Sequence, residues 1–105
     1  MSNNAESQDK AQAMADEAAR QDREKILKHF KKIVRGAEKT EFECREEKFE
    51  KQRKLEELNE TVDAAPEAID AAETELAGCN VRHKNSLVCL RQFRKRLRLV
   101  QEMEI

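Results

Sequence analysis

Cys79 and His83 are the residues of this 105-residue chain best placed to do chemistry. Four positions apart, they fall on one face of a helix, and a thiolate beside an imidazole at that spacing can begin a zinc site. Cys44 would join them if a second helix brought it opposite, and Glu41 could supply an oxygen ligand. The set contains no CxxC pair. A small Cys and a register-marking His inside a helical seam account for the same residues, so the expectation is no bound metal and no cofactor. Catalysis has less support. The chain has no Gly-rich phosphate loop, no nucleophile elbow and no HExxH. Its Glu and Lys residues recur at the spacing of solvent-facing helix pairs, and a slender helical protein lacks the concavity that perturbs pKa values. The chain is read as non-enzymatic.

Composition narrows the elements that must position these side chains. Lys and Arg number 21 and Asp and Glu 22, a formal net of −1, with two Gly, one Pro, no Trp and no Tyr. So few turn formers and aromatics argue against β sandwiches and barrels. Large apolar residues (Leu, Ile, Val and Phe) number 21, few for a compact globule. No apolar run approaches the ~20 residues that span a bilayer. The polar N-terminus has the look of neither a secretory nor a transit signal. Three cysteines, an odd number, fit a reducing compartment and hence a cytoplasmic location. Nine residues separate Cys79 from Cys89, as in the paired-cysteine hairpins of the mitochondrial intermembrane space, but those need a second pair that this chain lacks.

The fold class expected is all-α, a long antiparallel helical hairpin of coiled-coil type, completed into a bundle by self-association or by a partner helix. Residues 1–22 are Ala-rich and polar, and are read as an arm, disordered or a frayed helix. A helix is expected over 23–60, a turn over 59–66 and a second helix over 66–103. With Leu27 at heptad position a, Leu27, Val34, Glu41, Lys48, Leu55 and Val62 occupy a, and Phe30, Ala37, Cys44, Lys51 and Leu58 occupy d. The count continues with Ile69, Leu76, His83, Leu90 and Leu97 at a, and Ala65, Ala72, Cys79, Ser86, Phe93 and Val100 at d. Sustained a/d occupancy of this kind marks a coiled coil.

Thr61 or Asp63 can cap a helix, and Pro66 suits a first helical turn. Pro inside a continuous helix would cost ~3 kcal/mol. A single kinked rod is the alternative, because the heptad keeps its phase through Pro66. The hairpin is favoured by matching layers: Leu58 with Ile69, Leu55 with Ala72, Val34 with Phe93, Phe30 with Leu97 and Leu27 with Val100. In the centre Glu41 would meet Ser86, Cys44 would meet His83 and Lys48 would approach Cys79. Each arm would be roughly 57 Å long at 1.5 Å per residue.

The near-neutral total hides a strong separation of charge. Residues 23–39 and 82–98 together carry 14 bases and two acids, a net of +12, while residues 40–81 carry 13 acids and five bases, a net of −8. A hairpin sets the two basic segments side by side and so makes a basic end, where Lys28, Lys31, Lys32, Arg35, Arg91, Arg94, Lys95, Arg96 and Arg98 are the candidate partner-binding residues. Such a field steers acidic partners. Nucleic-acid readout beyond phosphates recruits stacking aromatics, and the only two nearby, Phe30 and Phe93, sit at d. An acidic protein surface is therefore the first expectation and a phosphate-contacting nucleic-acid module the alternative. A second feature is an apolar stripe, Phe42 and Phe49 at b with Val81 and Val88 at f, which lies outside the seam and suits a helix of a second copy or of another subunit.

The function expected is that of an adaptor, scaffold or small chaperone-like subunit. The shape, with Lys31-Lys-Ile-Val-Arg35, resembles small helical-bundle chaperones of the tubulin-binding cofactor A kind. That resemblance implies a cytoskeletal partner. The third helix of that family has no room after Ile105, and no functional residue is carried over.

Overall fold

A computed structural model describes residues 2–103, and side chains from Ser7 onward. Two helices, α1 (Ser2–Glu60) and α2 (Pro66–Glu102), form an antiparallel hairpin measuring 95 × 15 × 14 Å. No strand occurs among the described residues. The kinked rod is excluded by side chains that cross between the helices at both ends and in the middle. The Arg23 guanidinium donates to the Gln101 carbonyl at 3.2 Å, and Lys51 pairs with Glu75 at 3.2 Å.

α1 runs for 59 residues because nothing in it forces a stop: it holds no Pro, and its one Gly, Gly36, sits on an open face. It ends where Thr61 turns its hydroxyl back onto the Glu57 carbonyl (2.8 Å) and its amide onto Leu58. The Ala64 amide then reaches the Thr61 carbonyl, closing a tight turn. Ala65 is extended (φ −65°, ψ 135°), as the residue before a proline must be. Pro66 opens α2 at a position whose amide would have had no helical partner. The expected caps do not act as such. Ala65 is the N-cap, without a side-chain hydrogen bond, and neither Thr61 nor Asp63 takes that place.

The seam is the heptad seam. From Leu27 to Leu58 and from Ile69 to Val100, every a and d residue is buried or half-buried. The count holds its phase on both sides of the turn, and only the positions within the turn leave the seam. Val62, at a, is 97% exposed, and Ala65, at d, is exposed too. Among the described residues only Val34, Cys79, Ser86 and Leu90 are buried, and Cys79 alone completely. Two helices can cover no more of one another than a single stripe.

α1 also outruns α2. Because Arg23 meets the last turn of α2, the stretch before it projects past the hairpin as continuous helix, roughly 30 Å for about 20 residues. Its described side chains are exposed, save the half-buried Ala19. The Ala-rich arm is thus the leading part of α1. The basic zone is the end of the hairpin without being the end of the molecule.

Candidate functional site

The centre of the seam is polar, and its pairing is specific. His83 Nε2 lies 3.1 Å from Glu41 Oε1, with side chains only 13% and 12% exposed, and Arg45 Nε approaches the same oxygen at 3.8 Å. Glu41 therefore meets His83 where the layer count puts Ser86. Ser86 instead donates its hydroxyl to the His83 carbonyl of its own helix at 2.6 Å. The offset follows from chemistry: the carboxylate takes the ring nitrogen within reach, and serine can satisfy itself locally.

The candidate metal set is drawn apart by the same bonds. Cys79, 1% exposed, accepts from the Arg82 guanidinium at 3.1 Å, and Arg82 also pairs with Glu47 at 3.0 Å. Burial, with Glu47 nearby, pushes the Cys79 thiol above its ordinary value, which disfavours the thiolate that metals and electrophiles need. His83 has turned to Glu41, and Cys44 is half-buried. Among the described residues no group of three or more His, Cys, Asp or Glu is placed to hold a metal ion. All three cysteines are free thiols.

The basic residues take the positions the heptad gives them. Lys28, Lys31, Lys32, Arg35, Arg91, Arg94, Lys95, Arg96 and Arg98 are all exposed. Among the described residues, Arg94 alone of these nine makes an ion pair, with Glu38 at 3.7 Å. Arg96 stacks over the Phe93 ring at 5.8 Å. The hairpin has two lateral edges, marked by grooves beside the seam. One edge presents e and b positions. It carries a groove lined by Leu27, Lys28, Lys31 and Arg35, and farther along a second lined by Phe42, Arg45, Leu87 and Arg94. The other edge presents g and c positions. Its groove, about 500 Å³, is lined by Ala37, Thr40, Cys44, Ser86, Cys89 and Phe93, with Arg82 and Asn85 at its side.

The apolar stripe is exposed as its positions require: Phe42 and Phe49 are each 52% exposed, and Val81 and Val88 are exposed as well. Phe42 lies under the Arg45 guanidinium at 5.6 Å. Leu87, half-buried in the groove beside Phe42, belongs to the same patch and escaped a reading that followed only the a, d, b and f positions. The groove of Cys44 and Cys89 was missed for a related reason. It is formed by small side chains that fail to fill the space between the helices, and smallness leaves no periodic mark. No helix of the described residues is long and apolar enough to cross a membrane. No protein-family model matches the chain, and no curated protein or solved structure does so either.

Proposed function

We propose that the protein is a non-enzymatic helical interaction protein, an adaptor, scaffold or small chaperone-like subunit, that docks an acidic protein surface on the basic half of its hairpin. The observation that carries this is the convergence of 14 bases and two acids from two distant segments, with eight of the nine candidate bases exposed and outside any ion pair among the described residues. Bases left unneutralised at this density raise the local potential and speed capture of acidic partners. Six of the nine, Lys28, Lys31, Arg35, Arg91, Arg94 and Arg98, hold e or b positions and share an edge with Phe42 and Phe49. That edge fits an acidic segment with apolar residues at one end. Free thiols suit a cytoplasmic, reducing setting.

The test is fluorescence anisotropy with three labelled probes at physiological salt: an acidic amphipathic peptide, a single-stranded RNA and a duplex DNA. The peptide is expected to bind, and the Arg94→Glu/Lys95→Glu/Arg96→Glu variant to lose at least tenfold in affinity with helicity unchanged by circular dichroism. Phe42→Ser/Phe49→Ser should weaken the peptide further. Tighter binding of RNA or DNA than of the peptide would overturn the reading in favour of a phosphate-binding module. Equal peptide binding by the charge-reversed variant would remove electrostatic docking altogether.

A further inference from the structure

We propose that a second copy of the chain seats on the g edge of the hairpin, antiparallel to the first, with a two-fold axis through the groove lined by Cys44 and Cys89. The inference concerns the edge opposite Phe42 and Phe49 and does not depend on which partner that other edge takes.

Three observations converge on this occupant. The first is an incomplete core. With four residues buried, the hairpin leaves Ile26 and Leu99 exposed and Ile33 half-buried at g and c positions, on the same edge as a groove of small and apolar side chains. Two helices rarely bury enough to stand alone.

The second is the position of that groove. It spans residues 37–44 of α1 and 82–93 of α2, the middle of the hairpin, where the +12 half gives way to the −8 half. A two-fold axis through this point lays each basic half along the acidic half of the other copy, so the face is complementary to itself, as a closed dimer requires. A parallel arrangement would oppose +12 to +12. Arg96 holds a g position of the basic half, and Glu43, Glu50 and Glu57 hold c positions of the acidic half. All four are exposed.

The third is size. A face roughly 57 Å long and about 14 Å wide offers on the order of 800 Å² per copy, the area of a standard stable interface. The chain's own leading segment cannot take the groove. It leaves the hairpin in line with α1, pointing away, with no break that would let it return.

Sedimentation equilibrium of the full chain in 50 mM salt is expected to give twice the 12.2 kDa chain mass, with dissociation as salt rises. Arg96→Glu and Glu43→Lys/Glu50→Lys/Glu57→Lys should each weaken self-association at least tenfold, and mixing the two variants should restore a heterodimer. A bismaleimide should link two chains through Cys89, and Cys89→Ser should abolish the link. A single-chain mass at 200 μM would overturn the proposal. So would a dimer that both charge variants leave intact, or one that Phe42→Ser/Phe49→Ser disperses, since that would place the contact on the other edge. Circular dichroism of each variant separates loss of pairing from loss of fold, and recovery on mixing cannot come from unfolded chains.

Discussion

Replacing Glu41 and His83, singly and together, measures what the polar layer does. His83→Leu leaves a carboxylate that is 12% exposed with only Arg45, at 3.8 Å, to answer it. Stripping a partner from a buried charged pair costs ~3–5 kcal/mol, and from a buried hydrogen bond ~1–3 kcal/mol. With Arg45 and residual solvent helping, about 2 kcal/mol is the expected loss, and Glu41→Leu should cost a similar amount by leaving the His83 ring nitrogen without its partner. The double Leu variant removes both polar groups and fills the layer, so its stability should return to that of the parent or exceed it by about 1–2 kcal/mol. Urea unfolding followed by circular dichroism at one protein concentration reads these values. At a slope of about 1.5 kcal/mol per molar, a single variant moves the midpoint down by ~1.3 M. Single variants within ~0.3 kcal/mol of the parent, or losses that simply add in the double variant, would refute the claim that the two groups act as a unit.

Three further outcomes are expected. Gly36→Ala should stabilise the protein by about 0.5–1 kcal/mol, since an added Cβ meets nothing within 4 Å and helix propensity improves; a lower midpoint in urea would contradict this. Ala65→Asp should add about 1 kcal/mol by supplying the missing N-cap acceptor for α2, whereas Asp63→Ala, outside the cap, should be nearly silent. Burial raises the Cys79 thiol above its ordinary 9.0, so its proton is held more tightly when folded; that stability is complete below the ordinary value and is lost as pH climbs through the raised one. The parent should therefore lose more stability between pH 8 and pH 11 than Cys79→Ala does, and alkylation at pH 8 should follow the order Cys89, Cys44, Cys79.

Most of the fold was legible because the seam is periodic. Residues as unlike as Leu27, Lys48 and Ser86 are all withdrawn from solvent because the count put them at a or d, so position overrode residue type. Pro66 marked the reversal through its fixed φ and missing amide. The cap was not legible: Thr61 offered a hydroxyl, but it donates to the Glu57 carbonyl of the helix behind it. Nor was the partner of Glu41, because a side chain can lean by a turn to reach a better donor, and the layer count has no term for that choice. The exposure of Phe42, Phe49, Val81 and Val88 followed from their places at b and f. The groove around Cys44 depends on volumes left empty, which no pattern of apolar spacing records.

The clamp at Arg23 ties the two termini of the hairpin into one thermodynamic event. α2 has no basic residue in its own last turn, and the guanidinium from α1 answers the Gln101 carbonyl there. The final turn of α2 thus gives up a bond to α1 when it unravels, at the very place where α1 departs as a lone helix. Opening from this mouth is a zipper with its slider already fastened. A force applied to the leading segment would have to break that fastening before any layer behind it felt the load.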